Sequence, residues 1–422
     1  MSRIKNILST KLFKNGFWLF VLQVFNTIVP LITLPYITRV LGSSNYGVFS
    51  LALNWVTYFQ VIVEYGFGFT GARKVSVQQN DNIQPLYSRI ITARILLLLL
   101  SYAAMNIISF IVKVSTEQYI SMNILFLVII GIAFQLTWLF QGKQDMKFIT
   151  IVNAISRFIS VILVFILVHR TTHLYLYCLC YSVTFILSAL IGIVLANKRY
   201  RLKVKLCRIN EAIGEIKDGW YLFISQAMSK IISAVGTTVL GMVATASAIG
   251  IYSAIYKLPY IMILFFSPIS QALYPYISVK FSESFITGRN TVKKAIGLVM
   301  PIYLLGGIVI CFFRVFIIKI AFGAEYLEYE VITIPLIIWM LLSVTNNFLG
   351  VQFLVASGNQ KSYSHAVTIG AVVTVTLNVL LGFLFNVYGV AIAAALGELA
   401  LTIMLVFSVK SVVRRYNEGA EM

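Results

Sequence analysis

The chain has 422 residues, of which 59% are hydrophobic and only 11% are charged. About a quarter of the residues are charged in an ordinary soluble domain, so this composition excludes a water-soluble globular protein. The formal charge of +19 is compatible with nucleic acid or with an anionic membrane as a partner. Apolar stretches of about 20 residues, enough to cross about 30 Å of hydrocarbon, recur from end to end and predict an all-α polytopic membrane protein.

Hydropathy predicts about twelve transmembrane helices. Gly, Ser, Asn or Pro residues separate them, as expected of turns. The first turn falls at residues 41–44, and the second helix is predicted to break at Gly66, Gly68 and Gly71. The predicted spans cover residues 16–37, 46–70, 90–112, 120–141, 148–168, 173–196, 219–243, 248–275, 294–318, 330–355, 363–385 and 389–411.

Basic residues concentrate on one side of this layout. The other side holds only Arg39, Lys113, Arg170 and Lys319, an asymmetry of about six to one. The positive-inside rule then places both termini in the cytoplasm, which requires an even number of spans. The positive charge is thus a topology signal with attraction to anionic lipid as a by-product, and nucleic acid is not predicted as a partner.

The two halves of the chain resemble each other. A shift of 203 residues aligns residues 14–23 with 217–226 and residues 47–50 with 250–253, without a gap. We predict an N-terminal six-helix lobe at 1–196, a basic cytoplasmic linker at 197–217 and a C-terminal six-helix lobe at 218–422. Because six is even, both lobes enter the membrane in the same direction, and this parallel internal repeat predicts a central cavity.

Three cations, Arg157, Lys230 and Lys257, fall near the middle of predicted spans. Facing lipid, each would cost about 2.5–3.5 kcal/mol, so we expect them to face water or a counter-charge. Helical spacing places further polar residues on the helix faces that carry these three cations. Arg39 is expected at the external mouth of the predicted cavity. The candidate substrate-binding residues are Arg157, Lys230, Lys257, Arg39, Gln23, Asn153 and Gln226.

Two interpretations of these polar faces stay open. In the first, they line one cationic cavity that holds an anionic ligand, such as a lipid-linked pyrophosphate, through charge-assisted hydrogen bonds. In the second, they form interhelical contacts and ion pairs that only hold the lobes together. Arg94 and Arg314 lie nearer span ends, where we expect their side chains to extend to the membrane surface.

Two carboxylates within predicted spans, Glu64 and Glu398, are the candidates for ion coupling. Each could carry a proton through the membrane, whereas a cation nearby would keep it charged and fixed. Residues 66–71 match GxGxxG but follow an apolar span rather than a strand. His169 and His173 flank an external turn without a carboxylate. We therefore predict no catalytic residue, no cofactor and no metal site.

Several motifs resemble those of Wzx-type polysaccharide flippases, which share the MOP superfamily with MATE exporters and MurJ-type lipid II flippases. The motifs are PLITLPYITRVLG at residues 30–42, NYGVF at 45–49, VEYGFGFTGARK at 63–74, WLFQG at 138–142, DGWYLF at 218–223 and GIYSAIYK at 250–257. Arg157 and Lys257 match positions of that family.

The resemblance implies a flippase and not an enzyme. Its cargo would be an undecaprenyl-pyrophosphate-linked oligosaccharide of O-antigen or capsular type, moved across the bacterial inner membrane by alternating access. Membrane lipids and other polysaccharide assembly proteins are the further partners it implies. A MATE-like exporter of small molecules is the main alternative, although central cations would repel cationic cargo. A membrane-embedded glycan polymerase fits less well, because every predicted external loop is short.

Overall fold

The computed structural model describes residues 11–77 and 82–420, which are helical almost throughout and contain no strand. The α-helices are α1 Lys11–Glu64, α2 Phe67–Val77, α3 Gln84–Val112, α4 Thr116–Phe134, α5 Thr137–Gly142, α6 Met146–Leu167, α7 Leu174–Tyr200, α8 Ile209–Val243, α9 Ala246–Glu283, α10 Phe285–Phe312, α11 Arg314–Ala321, α12 Thr333–Asn347 and α13 Gln360–Ala420. Short 3₁₀ helices cover Thr171–His173 and Ala324–Ile332, and a π-helix covers Phe348–Val355. Arg3 and Lys5, two of the basic residues that the charge distribution assigns to the cytoplasmic side, lie outside the described part of the chain.

Ten helical segments within these ranges are long and apolar enough to cross a membrane. The chain is therefore a multi-pass, all-helical membrane protein, as its composition predicts. The two longest helices each contain a break. Gly42 (φ 74°, ψ 167°) interrupts α1 inside the predicted turn at residues 41–44, and Asn386 (φ 55°, ψ −128°) interrupts α13. Positive φ favours glycine and is tolerated by asparagine, so the chain can turn sharply at both residues.

The predicted break after the second span is confirmed at Gly66 but is wrong at the two following glycines. Tyr65 and Gly66 both have positive φ and separate α1 from α2. Gly68 and Gly71, by contrast, lie inside α2. A side chain at Gly71 would collide with the ring of Trp138 in α5, so this glycine allows close helix packing.

Helix α8 begins ten residues before its predicted start. The early part is polar and hydropathy does not detect it, but Ala212, Glu215 and Gly219 recur at helical spacing and are buried. Because α7 continues to Tyr200, the predicted linker at 197–217 is largely helical, with residues 201–208 between the two helices.

The structure divides into two compact units. Of the described residues, those in the ranges 11–33 and 40–234 form the first unit, and those in the ranges 34–39 and 235–420 form the second. In the first unit, α7 packs against both α4 and α6, and α2 packs against α5. Gly131 of α4 lies against the backbone of Phe185 in α7, where a side chain would not fit.

In the second unit, α13 packs against α12, and α10 packs against α9. Two apolar clusters hold these helices together. The first contains Phe266, Val299, Tyr303, Ile337, Met340, Val344 and Phe348. The second contains Ile277, Val292, Phe353, Leu354, Ala366, Leu405 and Val412.

Candidate functional site

Arg157 lies half-buried on α6, in the first unit. Its guanidinium donates a hydrogen bond of 3.4 Å to the backbone carbonyl of Asn26 in α1. Gln23 precedes Asn26 by three residues, so it occupies the same face of α1 one turn earlier. Within residues 11–77 and 82–420, no carboxylate forms an ion pair with Arg157. The structure therefore brings Gln23 and Arg157 to one pair of helices and leaves the cation without an acidic partner.

Asn153, one turn before Arg157, belongs to an interhelical hydrogen-bond network. Its amide nitrogen donates to the carbonyl of Ile149 at 2.8 Å, and its amide oxygen accepts from Gln135 at 3.4 Å. Gln135 also donates to the hydroxyl of Ser188 in α7 at 3.0 Å. These contacts supply Asn153 with partners inside the helical packing, and its part in substrate binding stays a prediction.

Lys230 and Gln226 lie half-buried on α8, one turn apart and on the same face. No hydrogen bond or ion pair joins either side chain to any residue that the structure describes. The ammonium group of Lys230 thus has all three donors free for a ligand or water.

Lys257 lies half-buried on α9, in the second unit. Its ammonium nitrogen is 5.3 Å from the ring centroid of Tyr260, a cation–π contact. On the same helix, the rings of Tyr256 and Tyr260 stack with centroids 5.7 Å apart. The ring of Trp339 in α12 lies tilted against Tyr256, with centroids 4.9 Å apart. No carboxylate pairs with Lys257 in the described ranges, so its surroundings are aromatic rather than acidic.

Glu398 on α13 is held by neutral polar groups. The amide nitrogen of Asn346 in α12 donates to the Glu398 carboxylate and, at 3.1 Å, to its backbone carbonyl. Thr402 donates to the amide oxygen of Asn346 at 2.7 Å and completes the group. No Lys, Arg or His forms an ion pair with Glu398 among the described residues. Its carboxylate therefore lacks a fixed counter-charge.

Glu64, the second candidate for ion coupling, has different surroundings. Its carboxylate accepts a hydrogen bond of 3.0 Å from Gln60, one turn earlier on α1. Arg94 of α3 interacts with it electrostatically. The two carboxylates therefore differ in their neighbours, since no cation forms an ion pair with Glu398 among the described residues. The role of either one in ion coupling stays a prediction.

Residues 12–281 match the sequence family described as "Polysaccharide biosynthesis protein". The chain belongs to this family. Two curated relatives are similar to this family member along nearly their whole length, and both are described as "Putative O-antigen transporter". The Escherichia coli (strain K12) protein is 24% identical over 406 residues, which cover 94% of this chain and 96% of the relative. The Shigella dysenteriae protein is 25% identical over 400 residues, which cover 94% of this chain and 100% of that relative.

Solved structures show the fold of this family member. The lipid II flippase MurJ in an inward-closed conformation matches with a TM-score of 0.71 at 16% identity, covering 94% of this chain and 87% of MurJ. An inward-facing multidrug resistance MATE family transporter of the MOP superfamily matches with a TM-score of 0.68 at 12% identity, covering 92% and 98%. The fold that the sequence motifs predict, that of MurJ and MATE transporters, is confirmed.

Arg39 of this family member is exposed, and its guanidinium donates to the carbonyl of Ile320 at the end of α11. Both residues belong to the second unit. A cation at the C-terminal end of a helix offsets the partial negative charge of its free carbonyls. The structure therefore shows Arg39 engaged with a helix end, and the single cavity predicted for the seven candidate residues stays a prediction.

The expectation that Arg94 extends to the membrane surface is wrong. Its side chain is buried, and it donates to the carbonyls of Ile132, Ala133 and Gln135 at 3.3, 3.4 and 2.9 Å. These carbonyls close α4 inside the protein, where they have no water to bond. Arg314 also has protein partners, an ion pair with Glu330 and a bond of 3.1 Å to the carbonyl of Cys311.

One cluster of charges was not predicted at all. Glu215 on α8 is only 6% exposed and pairs with Lys74 of α2 at 2.7 Å and with Arg89 of α3 at 3.1 Å. Beside it, the rings of Tyr65 and Phe223 stack in parallel with centroids 4.5 Å apart. The sequence did carry a signal for this cluster, because Glu215 shares a helical spacing with Ala212 and Gly219. Hydropathy alone assigns this part of α8 to a loop.

Proposed function

We propose that this family member is a flippase for undecaprenyl-pyrophosphate-linked oligosaccharide repeat units of O-antigen or capsular type. It moves them across the bacterial inner membrane by alternating access. The observation that carries the proposal is the set of three cations, Arg157, Lys230 and Lys257, that lie on membrane-spanning helices without an acidic partner among the described residues. Unpaired charge in such helices is costly, so it needs an anion or water. A pyrophosphate supplies that anion.

The names of the relatives and the shared fold support a lipid-linked oligosaccharide as the cargo. Both curated relatives carry names that refer to O-antigen transport and cover nearly the whole chain. The fold is shared with a lipid II flippase. The proposed cargo, like any lipid-linked substrate, has a polar head group that must cross hydrocarbon.

The proposal includes a layout of twelve spans in two six-helix lobes, with both termini in the cytoplasm. Ten apolar segments are found in the described ranges, and two of them are broken, at Gly42 and at Asn386. Dividing α1 and α13 at these breaks gives twelve, the even number that the distribution of basic residues requires.

The cations and the carboxylate take different roles in this proposal. Arg157 offers a planar, bidentate donor that suits phosphate oxygens, and Lys230 offers a mobile point charge. Lys257 lies beside the face of Tyr260, so its charge is held among aromatic rings. Glu398 binds a proton in one state and releases it in the other, which couples transport to a gradient.

A MATE-like exporter has the same fold and is the second candidate. Its substrates would be small amphipathic molecules. Three unpaired cations repel cationic substrates of that kind, so the charge favours an anionic head group. A catalytic role has no support from the residues described, and we propose that the protein is not an enzyme.

The test is reconstitution of the purified protein into liposomes, followed by measurement of lipid-linked oligosaccharide transfer between leaflets. Lys257→Met removes the charge at similar volume, and Lys257→Arg retains it. Because a hydrogen bond to a charged group contributes about 1.5–3 kcal/mol, we expect Lys257→Met to slow transfer by about tenfold or more and Lys257→Arg to retain most of it. Lys361→Met, at an exposed lysine in the first turn of α13, is the matched control and should transfer normally. Normal transfer by Lys257→Met would remove Lys257 from the cargo site.

A further inference from the structure

A cleft of about 460 Å³ opens in the second unit, between the beginning of α10, the π-helix Phe348–Val355 and the end of α13. Its floor is apolar and includes Val292, Leu349 and Phe353. Four cations lie around it. These are Arg289, Lys293, Lys410 and Arg414.

Most of this positive charge is uncompensated. Arg414 pairs with Glu418 at 2.6 Å, but both side chains are largely exposed and the pair is weak. Arg289, Lys293 and Lys410 form no ion pair with any residue that the structure describes. The cleft therefore combines an apolar floor with a cationic rim, in which Glu418 is the one acidic residue among the described lining residues and offsets one of the four positive charges.

The cleft lies where membrane-spanning helices leave the hydrocarbon. Both α10 and α13 are apolar enough to span a membrane, and the cations occupy the first turns of one and the last turns of the other. The face of α13 that carries Lys410 and Arg414 continues through Phe407 and Ile403, which are 63% and 47% exposed. An exposed apolar strip thus runs from the cationic rim along the spanning part of α13.

We propose that this cleft binds an anionic phospholipid of the adjacent leaflet. The phosphate contacts Lys293 and Lys410, and an acyl chain lies along Phe407 and Ile403. Basic pockets between transmembrane helices on the cytoplasmic side bind phosphate-bearing lipid head groups in this way. An acidic soluble peptide would match the charge of the rim but would not contact an apolar strip that faces hydrocarbon. A zwitterionic lipid would leave the positive charge of the rim uncompensated.

A lipid in this position contacts α10, the π-helix and α13 together. Because it binds only the folded protein, its occupancy stabilises the second unit by mass action. The inference does not depend on the proposed transport function, since it concerns binding of a resident lipid at a site that shares no residue with Arg157, Lys230, Lys257 or Glu398.

The experiment measures lipid binding to the full-length protein by native mass spectrometry. The probes are tetraoleoyl cardiolipin, which carries two phosphates, and zwitterionic dioleoyl phosphatidylcholine. The cleft variant is Lys293→Gln with Lys410→Gln. The matched control is Lys294→Gln with Arg415→Gln, which removes two charges from neighbouring positions that do not line the cleft. Melting temperatures in phosphatidylcholine establish that both variants are folded.

Each cation near an anionic head group contributes about fivefold in affinity, so we expect the cleft variant to bind cardiolipin about tenfold or more weakly than the wild type. The control should change by about twofold or less, and phosphatidylcholine should bind all three proteins equally weakly. An equal loss in the control would reduce the effect to diffuse surface charge and overturn the site. Unchanged binding in the cleft variant, or complete displacement of cardiolipin by equimolar undecaprenyl pyrophosphate, would also overturn it, the latter by assigning the cleft to cargo.

Discussion

Asn346 donates a hydrogen bond from its side-chain amide to the carboxylate of Glu398, across the interface between α12 and α13. Thr402 fixes the amide by donating to its oxygen at 2.7 Å. A neutral donor can serve the carboxylate in either protonation state, whereas a Lys or Arg partner would favour the charged state strongly. This geometry distinguishes Glu398 from Glu64 and makes the coupling proposal testable.

We expect transport by Glu398→Gln to lose its dependence on the pH gradient, because glutamine keeps the shape and the hydrogen bond but cannot exchange a proton. The measurement is the rate of leaflet transfer in liposomes with and without an imposed gradient. Glu64→Gln is the control and should keep the wild-type dependence, since Arg94 interacts electrostatically with Glu64 and no cation pairs with Glu398 among the described residues. A Glu398→Gln protein that still responds to the gradient would exclude this residue from coupling.

Removal of the Glu215 carboxylate should destabilise the protein. Lys74 and Arg89 would lose their common partner, and loss of one member of a buried pair costs about 3–5 kcal/mol. Because both cations are about one-third exposed, we expect a smaller cost of about 1–3 kcal/mol for Glu215→Ala. Thermal unfolding in detergent measures it. Asp218→Ala, which removes the 61% exposed second partner of Lys74, should cost less than about 1 kcal/mol. Equal effects of the two variants would contradict the buried role of Glu215.

Close packing of α4 on α7 depends on the absence of a side chain at Gly131. A Cβ atom there would lie 2.5 Å from the backbone carbon of Phe185, and backbone cannot move aside cheaply. We expect Gly131→Ala to lower the stability by about 1–3 kcal/mol. Gly297→Ala is the control, since a Cβ at Gly297 meets nothing within 4 Å and alanine favours the helix. If Gly131→Ala left the stability unchanged, the two helices would separate more easily than their packing indicates.

Cysteine labelling tests the twelve-span layout. Ser44 follows the break at Gly42, and Lys361 lies in the first turn of α13; both are exposed. In a background without the four native cysteines, a membrane-impermeant maleimide applied to spheroplasts should label Ser44→Cys and not Lys361→Cys. In inverted vesicles the result should reverse. Labelling of both from the same side would contradict the proposed topology.

Much of the fold follows from the sequence because a helix that crosses lipid must consist of about 20 mainly apolar residues. Each predicted span overlaps a helix, and the turn predicted at residues 41–44 contains the break at Gly42. The rule fails where a helix is amphipathic. The first ten residues of α8 are polar enough to resemble a loop, yet Ala212 and Glu215 face inward.

The candidate site was less predictable, because partners come from distant parts of the chain. Spacing along a helix identifies the face of Arg157, but it does not reveal that Asn153 on the same face bonds Gln135. Likewise, Glu215 lies 141 residues from Lys74, a separation at which no periodic pattern links two charges. The sequence around a buried arginine such as Arg94 does not differ from that around an arginine at the membrane surface. Only the carbonyls at the end of α4, which the folded structure brings close, explain why Arg94 is buried.

The most direct test of the account compares two cargoes in the same proteoliposomes. Purified wild-type protein is reconstituted with undecaprenyl-pyrophosphate-linked oligosaccharide and, separately, with the cationic dye ethidium. We expect the protein to move the oligosaccharide lipid between leaflets, to leave ethidium where it is, and to lose lipid transfer when Arg157, Lys230 and Lys257 are replaced together by Gln, Met and Met. Ethidium export without transfer of the lipid would contradict the account and indicate an exporter of the MATE type.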